Sequence, residues 1–557
     1  MFKKTISSPW LWLFVLFVII FCRLLVVHCW PDPRVSNQSK KQYWANVTLS
    51  TSRGVIEDST GDILAHSIPS FSFFVDPKFW NPANAYKLDT CVPKPIIEKL
   101  ATHLPGRFFP VLRKVGIDKA EKIMKLRLPG LYPVSEMQRL YPNKTLLAHT
   151  IGYCGIDDHG QAGLELTWDS VLYSPPETKI LVKDSSGQKV DLADVAINSD
   201  ESRESDIALT INDTLQYIVE AHLKEGAVEN GAKWAAAVCM NPHDGTVLAM
   251  ASWPSFDPND RSSFVDERHL LNNAVGRVYE PGSTLKPIIM GLSLEKKLVD
   301  THEYFNCTRH IKIADRIVSD PVAYGKLPLE GLIIKSSNVG MSQIGLRFDA
   351  FDTYNTLKTW GFGVKPGIEL PGVEKGLLPP PDQWWGVVPA NIAIGQGIGV
   401  TPIQLLTAIS AIANGGHILR PYLVHKVTDY SGKLLYLGSR KEVATVLSGE
   451  TASWLRQVMR EVVLRGTGTI VNTPLVAIAG KTGTAQVAKK GVYQKGKWVS
   501  SFIGFWPADA PRFSMLVVIG EPSKGKYYGA QVAGPVFRAI VEDACKVGKD
   551  KIVAERE

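Results

Sequence analysis

The stretch Glu280-Pro281-Gly282-Ser283-Thr284-Leu285-Lys286-Pro287 places a serine and a lysine three residues apart at the predicted start of a helix. Pro281-Gly282 ends the preceding element, and the apolar residues after Pro287 continue at helical spacing. The unpaired N–H groups of a first helical turn favour negative charge near the Ser283 oxygen, and residues i and i+3 share a face. Lys286 is therefore within reach of Ser283. A serine hydroxyl needs an adjacent base to become a nucleophile, and a desolvated lysine near another cation provides one.

The S-x-x-K spacing alone is weak evidence, because average residue usage gives roughly two such pairs by chance in a chain of this length. Three other pairs occur: Ser186/Lys189, Ser293/Lys296 and Ser523/Lys526. The first and the third lie among turn residues, and Lys296 belongs to a charged run typical of a solvated helix face. What distinguishes Ser283 is a set of polar segments further along the chain.

The length and the N-terminus indicate a membrane-anchored protein of several domains. A chain of 557 residues is too long for one core and predicts two to four domains. Trp10 to Val27 is apolar except for Arg23, and no small-residue cleavage site follows, so we expect an uncleaved transmembrane anchor over 10–30. Lys3 and Lys4 precede it, which predicts a cytoplasmic tail over 1–9 and places the remaining chain outside.

Cysteine and histidine spacing gives no sign of a metal site. The seven cysteines are scattered without a C-x-x-C pair, and the twelve histidines form no H-E-x-x-H motif. We expect buried thiols rather than a disulfide framework, with a Cys91–Cys154 pair left open. This spacing predicts no catalytic metal. The net charge of +8 is modest for this size and permits attraction to an anionic envelope without demanding it. We also expect no cofactor and no nucleic-acid partner.

Residues 31–206 predict a mixed, strand-rich module without a site. A hairpin is predicted from Arg53–Asp58 to Gly61–Ala65, and helices over Pro95–His103 and Lys119–Arg127. The charged, turn-rich segment Asp184–Asp206 indicates a domain boundary.

Residues 207–550 predict an α+β domain, and a short tail, 551–557, follows it. The predicted strands, which come from both ends of the region, are Trp234–Met240, Thr246–Ala251, Val499–Trp506 and Arg512–Ile519. Predicted helices lie between them, and a last helix spans about Pro535–Lys546, so we expect one antiparallel sheet flanked by helices. Gly395-Gln396-Gly397-Ile398-Gly399 resembles a nucleotide fingerprint but fails, because Val400 occupies the third glycine position.

Two further segments are candidates for the site. Lys335-Ser336-Ser337-Asn338 interrupts apolar flanks, and read alone its polar triplet is typical of a turn or helix cap. Val476–Val487 predicts a strand in which Gly480 and Gly483 leave room for another backbone. A lysine in an exposed edge strand often serves only to prevent that edge from pairing with another chain. Here a peptide can add as an extra strand, with Lys481, Thr482 and Thr484 holding its terminal carboxylate.

Ser283-x-x-Lys286, Ser336-x-Asn338 and Lys481-Thr482-Gly483 together are the motif set of penicillin-binding proteins and class A β-lactamases. Each matches beyond its core, in the stretches Arg277–Ser283, Lys335–Gly340 and Gly480–Ala485. Residues 207–545 thus closely resemble a penicillin-binding transpeptidase domain of the penicillin-binding/serine β-lactamase-like fold. The anchor and residues 30–205 resemble the non-catalytic (pedestal or dimerisation) module of class B penicillin-binding proteins. Ser337 departs from the family pattern by replacing the aspartate of S-D-N.

The resemblance implies a role for each matched residue. Ser283 would be the acylated nucleophile, Lys286 its general base, Ser336 a proton relay, and Asn338 the group that holds the substrate amide. Lys481, Thr482, Gly483 and Thr484 would form the carboxylate site, and the N–H groups of Ser283 and Thr484 the oxyanion hole. The implied substrates are a D-Ala-D-Ala stem-peptide donor and a diamino-acid acceptor, and β-lactam antibiotics would acylate Ser283.

The contexts Arg277–Pro287 and Gly525–Ala530 resemble the cell-division (septal) branch of the family. That branch implies a bacterial inner-membrane enzyme with its catalytic domain in the periplasm, working beside a membrane glycosyltransferase and other division proteins. The alternatives are an elongation-type transpeptidase, a membrane-bound β-lactamase, or a β-lactam sensor. Rapid hydrolysis of the penicilloyl adduct would favour a β-lactamase, and a sensor predicts a substantial cytoplasmic domain.

Overall fold

The computed structural model describes residues 9–29, 44–49, 51–102, 104, 108–175, 177–183, 189–190, 205–264, 266–489 and 491–547. Its first helix is α1 (Pro9–Cys29), whose side chains are all exposed. Among the described residues it is the one helix long and apolar enough to cross a bilayer. The predicted anchor over 10–30 is therefore observed as a helix from Pro9 to Cys29. Trp30, most of the predicted tail 1–9, the tail 551–557 and most of the predicted boundary Asp184–Asp206 lie outside the described residues.

The N-terminal module is rich in strands, as expected. Its strands are β1 (Trp44–Leu49), β2 (Ile56–Glu57), β3 (Ile63–Val75), β4 (Phe109–Val115), β5 (Leu131–Leu140), β6 (Glu177–Lys183) and β7 (Lys189–Val190). Its helices are α2 (Lys94–Leu100), α3 (Ile117–Lys125), α4 (Ala148–Ile151), α5 (Gly163–Thr167) and α6 (Asp169–Leu172), with a 3₁₀ helix at Pro82–Leu88. The hairpin predicted around residue 60 is confirmed by the pairing of Ile56 with Ala65. Cys91 and Cys154 are both free thiols.

The remaining chain alternates strands and helices. Its strands are β8 (Ser205–Leu209), β9 (Trp234–Met240), β10 (Val247–Trp253), β11 (Tyr304–Cys307), β12 (His310–Ile313), β13 (Arg316–Ser319), β14 (Gly325–Pro328), β15 (His417–Leu419), β16 (Val424–Asp429), β17 (Leu434–Leu437), β18 (Glu442–Thr445), β19 (Ala479–Lys489), β20 (Val492–Trp506) and β21 (Phe513–Gly520). Its α-helices are α7 (Asp213–Glu229), α8 (Asn273–Gly276), α9 (Lys286–Glu295), α10 (Leu329–Ile334), α11 (Asn338–Gly345), α12 (Ala350–Thr359), α13 (Val388–Ala393), α14 (Pro402–Ala413), α15 (Gly449–Arg465) and α16 (Gly529–Val547). Short 3₁₀ helices lie at Arg261–Ser263, Glu267–His269, Gly282–Leu285, Pro381–Gln383 and Thr469–Val471.

The predicted antiparallel sheet flanked by helices is confirmed. Its five strands run in the order β10-β9-β21-β20-β19, and every neighbouring pair is antiparallel. Successive side chains of β9 point to opposite faces, so Ala237 packs in the core that contains α7 and α16, whereas Val238 packs in the core that contains α9 and α14. Both faces of the sheet are therefore covered, and β19 forms one of its two edges.

A second sheet joins the N-terminal module to the catalytic region. Its order is β17-β16-β8-β2-β3-β4, with β5 also paired to β3. Within this sheet, β2 of the module pairs with β8, and Ile56 lies beside Ile207 in parallel. Both side chains are fully buried, so this junction belongs to a hydrophobic core.

Several element boundaries differ from the prediction. The strand predicted at Val499–Trp506 begins at Val492. The last helix begins at Gly529 rather than about Pro535, and it keeps Pro535 in its interior. Proline removes a helical hydrogen bond, but buried side chains such as Phe537 and Ile540 outweigh that local cost by packing on the sheet. The strand predicted from Val476 begins at Ala479 and continues to Lys489.

Candidate active site

Ser283 lies at the start of a helix, as predicted. Gly282–Leu285 is a 3₁₀ turn that leads directly into α9. Gly282 has φ of +56°, and a Cβ atom built there would lie 3.1 Å from the Thr484 carbonyl oxygen, so a glycine is needed at this close approach. The Gly282 N–H donates to the Gly395 carbonyl at 2.9 Å. The glycine-rich loop that failed as a nucleotide fingerprint thus supports the turn that carries Ser283.

Lys286 connects this turn to the second polar segment. Its side chain is fully buried, and its Nζ donates to the Ser336 carbonyl at 2.7 Å and to the Asn338 Oδ1 at 2.8 Å. A longer hydrogen bond of 3.3 Å reaches the Ser336 Oγ. Within the described part of the chain, the hydrogen bonds of Lys286 run to this segment and none reaches the Ser283 hydroxyl.

The polar triplet is both a helix cap and part of the site. Ser336 has a left-handed backbone with φ of +59°, and the Ser337 side chain caps α11 by accepting from the Gly340 N–H at 2.9 Å. The interpretation as a cap was therefore right for Ser337. Its neighbours Ser336 and Asn338 contact Lys286, so the structure brings this predicted segment together with the S-x-x-K pair.

Asp320 is a member of this arrangement that the sequence analysis missed. It is 3% exposed, and its carboxylate accepts from the Ser337 hydroxyl and from the Asn338 N–H, both at 2.5 Å. Ser337 lacks the carboxylate of the S-D-N motif, and Asp320 places a carboxylate against it from the end of β13. No local spacing shows this contact, because Asp320 lies 18 residues before Asn338.

Lys481 of the Lys481-Thr482-Gly483 segment contacts the same serine as Lys286. It lies on β19, is fully buried, and its Nζ donates to the Ser336 Oγ at 3.0 Å. The Ser336 hydroxyl therefore lies between the two lysine ammonium groups. Lys481 also approaches the Thr467 hydroxyl at 3.4 Å, and that hydroxyl lies 2.8 Å from the Thr482 hydroxyl. Thr467, in the loop after α15, was also missed, since an isolated threonine gives no sequence signal.

Burial sets the charge of both lysines. Burial lowers the pKa of Lys286 to about 7, and the negative charge of Asp320 opposes that shift. Burial, followed by the charge of Lys286, lowers the pKa of Lys481 well below its usual value. A lysine with such a pKa exists partly as the free amine near neutral pH, which is the form that accepts a proton.

The edge of β19 forms one wall of the site. A Cβ atom at Gly483 would lie 2.8 Å from the Thr284 Cγ2 and 3.1 Å from the Pro281 carbonyl oxygen, so the strand passes close to the Ser283 turn. The Thr484 hydroxyl accepts from the Gly529 N–H at 2.9 Å, which ties the strand to the start of α16. On its other side β19 pairs with β20, and no further described strand lies on the free edge. That edge is open to an added peptide strand.

Comparison with known proteins agrees with this geometry. The profile described as penicillin-binding protein transpeptidase domain matches residues 235–542, more than half of the chain. The chain belongs to the penicillin-binding protein transpeptidase family. A second profile, the penicillin-binding protein dimerisation domain, matches residues 48–207. The resemblance to class B penicillin-binding proteins is confirmed.

Three similar proteins show how much of this transpeptidase-family chain aligns with known sequences and structures. It is 33% identical over 509 residues to peptidoglycan D,D-transpeptidase FtsI of Escherichia coli K12, covering 88% of this chain and 83% of that protein. It is 31% identical to stage V sporulation protein D of Bacillus subtilis, covering 95% and 83%. The crystal structure of penicillin-binding protein 3 from Mycobacterium tuberculosis, complexed with aztreonam, matches with a TM-score of 0.69 at 26% identity, covering 90% and 97%.

Proposed function

We propose that this protein is a serine-type peptidoglycan D,D-transpeptidase that cross-links stem peptides through an acyl-enzyme at Ser283 and is acylated by β-lactams. The observation that carries the proposal is the Ser336 hydroxyl, which lies between buried Lys286 and buried Lys481 beside the Ser283 turn. Two lysines of lowered pKa around a bridging hydroxyl form a proton-transfer chain that needs no metal. The names of the FtsI and penicillin-binding protein 3 relatives support the same chemistry.

The proposed reaction proceeds in two acyl-transfer steps. The free amine of Lys286 takes the Ser283 proton, and the Oγ attacks the carbonyl carbon of the penultimate D-Ala. The N–H groups of Ser283 and Thr484 stabilise the oxyanion. The C–N bond then breaks, Ser336 relays the proton that Lys286 took from Ser283 to the leaving amine of the terminal D-Ala, and an ester remains at Ser283.

The second step reverses this chemistry with a new amine. The amine of a neighbouring stem peptide attacks the ester and loses a proton to Lys286. The C–O bond to Ser283 then breaks, Lys286 returns that proton to the Ser283 oxygen, and a new amide bond cross-links the two stems. Thr482 and Thr484, with Lys481, hold the donor carboxylate in the first step. Asn338 holds the donor amide, since its side chain offers both a donor and an acceptor.

The placement in the cell is part of the proposal. Within the described ranges, one helix near the N-terminus fits a membrane anchor, and Lys3 and Lys4 before it support a cytoplasmic N-terminus and an external catalytic domain. We assign 1–9 to the tail, 10–30 to the anchor, 31–206 to the module, 207–550 to the transpeptidase domain and 551–557 to a second tail. Similarity to FtsI supports a role in septal cell-wall synthesis beside a membrane glycosyltransferase and other division proteins.

Labelling with a fluorescent penicillin tests the assignment. We expect the wild-type chain to become labelled and the Ser283→Ala variant to lose the label. Ser293→Ala is a matched control, because Ser293 belongs to another S-x-x-K pair but its hydroxyl donates to the Ile289 carbonyl inside α9. Labelling of Ser283→Ala at the wild-type level contradicts the proposal. Release of the label within seconds in the wild type would favour a β-lactamase.

A further inference from the structure

The hairpin formed by β19 and β20 extends beyond the catalytic sheet. β21 pairs with β20 only from Val499 to Trp506, whereas β19 and β20 continue to pair as far as Lys489 with Val492. We call residues 487–489 and 491–498 the hairpin extension. It has two strands and no third strand among the described residues. An isolated two-stranded hairpin is only marginally stable in water, so its position depends on other contacts.

One carboxylate fastens this extension to the turn that carries Ser283. The Tyr493 hydroxyl, on the extension, donates to both carboxylate oxygens of Glu280, at 3.1 and 3.3 Å. The Gly397 N–H donates to the same carboxylate at 2.9 Å. Glu280 lies three residues before Ser283, so its carboxylate joins the extension, the glycine-rich loop and the nucleophile turn. We call Glu280, Gly397 and Tyr493 the clasp.

The extension lies where the body of a donor peptide must run. In the proposed function the donor carboxylate lies at Lys481 and Thr482, and the scissile carbonyl lies near the Thr484 N–H. A donor added along the edge of β19 then continues towards Gln486 and Ala488, away from Lys481. A strand advances about 3.3 Å per residue, so the donor meets the extension within about two or three residues of its D-Ala-D-Ala end.

We propose that Glu280 and Tyr493 are positioning residues that hold the hairpin extension as the outer wall of the donor groove, and that they select donors carrying a long stem. This inference rests on the proposed function of the site. A donor of two residues ends before the extension and gains nothing from it. A stem peptide runs along the extension, and its affinity depends on how firmly that wall is held.

The alternative is a clasp that only stabilises the fold. Tyr493 is 42% exposed, so its hydroxyl also has access to water. Removing its hydrogen bond to Glu280 should therefore lower the stability of the fold only slightly. A structural role predicts a change in melting temperature and equal effects on all donors. A positioning role predicts a change in the ratio between long and short donors.

The test uses the full-length protein in detergent and compares two donors. The short donor is N-acetyl-D-Ala-D-Ala, the long donor is a stem pentapeptide ending in D-Ala-D-Ala, and the readout is kcat/KM for release of D-Ala. In Tyr493→Phe we expect kcat/KM for the long donor to fall about tenfold, the change in rate that corresponds to losing about one hydrogen bond. We expect kcat/KM for the short donor to stay within about twofold of the wild-type value. The Glu280→Gln variant should lower the same ratio. The double variant should fall no further than Tyr493→Phe alone, since both changes remove one contact.

Tyr217→Phe is the matched control, because Tyr217 is 67% exposed on α7, remote from β19, and loses the same hydroxyl. Its long-to-short ratio should equal that of the wild type. An unchanged ratio in Tyr493→Phe, or an equal fall for both donors, overturns the inference. These outcomes leave the proposed function intact as long as wild-type Ser283 is still acylated by penicillin, whereas failure of that acylation removes the proposed function itself.

Discussion

Among the residues that the structure describes, two groups of cations are buried, and they differ in how their charge is balanced. In the N-terminal module, Arg53 and Arg139 are 3% and 6% exposed and both contact the fully buried carboxylate of Glu165. Arg53 Nε lies 2.5 Å and Arg139 Nε 2.7 Å from its two oxygens. Asp169 adds a contact of 2.7 Å to Arg53. Burial alone lowers the pKa of Arg53, but the charge of Glu165 and the hydrogen bonds raise it overall.

In the active site, Lys286 and Lys481 are buried just as deeply without a paired carboxylate. Their hydrogen bonds end on hydroxyl, carbonyl and amide oxygens, and neither forms an ion pair with any residue that the structure describes. Arg53 and Arg139 stay charged because a guanidinium does not lose its proton in proteins, so Glu165 balances a permanent charge. The buried lysines have no paired carboxylate, and a lysine in such a position gives up its proton readily. The comparison teaches that the buried cations of the module are fixed by ion pairs, whereas those of the candidate active site are left able to exchange protons, as the proposed function requires.

Removing Lys286 should have the largest effect on activity. In Lys286→Met we expect the rate constant for penicillin acylation to fall about 10²–10⁴-fold, because the proposed general base is lost. The free energy of unfolding should stay the same or rise, since a desolvated amine is replaced by an apolar side chain of similar length. Stopped-flow acylation and urea unfolding measure the two quantities.

Lys296→Met is the control for that variant, because Lys296 lies nearby in sequence but pairs with Asp352 at 2.7 Å on the surface. Its acylation rate should match the wild type. If Lys286→Met were strongly destabilised instead, the contrast between the two groups of cations would fail.

Removing Glu165 should lower the stability of the protein about as strongly as removing Lys286 lowers the acylation rate. In Glu165→Gln we expect the free energy of unfolding to fall by about 3–5 kcal/mol, because two buried guanidinium groups lose their shared counter-charge. The acylation rate of the protein that remains folded should change little. Asp157→Asn is the control, since Asp157 contacts Arg113 at 3.5 Å with its side chain 73% exposed. Equal stability of the two variants would argue that Glu165 does not hold the module together.

The two groups should also respond to different pH ranges. With a Lys286 pKa of about 7, acylation should rise as pH passes 7 and be about tenfold slower one unit below that midpoint. At Lys286 the unfolded chain binds more protons than the folded one between about pH 7 and 10, so this lysine makes stability rise with pH there. Lys481, whose pKa is also lowered, acts in the same direction. The pKa of Glu165 is lowered, chiefly because Arg139 and then Arg53 outweigh its burial, so its contribution is lost only as pH falls below about 4.5. A flat acylation profile from pH 6 to 8 would contradict the free-amine role of Lys286.

Much of the fold could be predicted from the sequence, because its signals are local. Alternating or continuous apolar runs predicted β9, β10, β20 and β21, and proline and glycine marked the turn at Gly282. The start of α16 could not be predicted, because Gly529 is held by the Thr484 hydroxyl, which lies 45 residues earlier in the chain. Packing on the sheet also offsets the local cost of Pro535.

The residues of the candidate site likewise fall into those that could be predicted from local sequence and those that could not. Ser283, Lys286 and Lys481 could be named because they belong to short motifs, and the triplet at Ser336 could be named only through resemblance to a family. Asp320 and Thr467 could not be named, because each contacts the site through folding rather than through spacing. The hydrogen-bond partner of Lys286 could not be predicted from the sequence either. The i, i+3 spacing indicated Ser283, whereas in the structure the Ser336 carbonyl accepts from Lys286, because Ser336 has a left-handed backbone conformation.

Asp320 gives the smallest and most diagnostic effect, because it links the two kinds of charge balance. Its charge raises the pKa of Lys286 from a distance, and its hydrogen bonds hold Ser337 and Asn338. In Asp320→Asn we expect the midpoint of the acylation profile to move to lower pH, while the plateau rate falls about tenfold because Asn338 is held less well. Asp315→Asn, with a side chain 81% exposed, should change neither. A lower plateau without a shifted midpoint would mean that Asp320 acts only through position, and a shifted midpoint alone would mean that it acts only through charge.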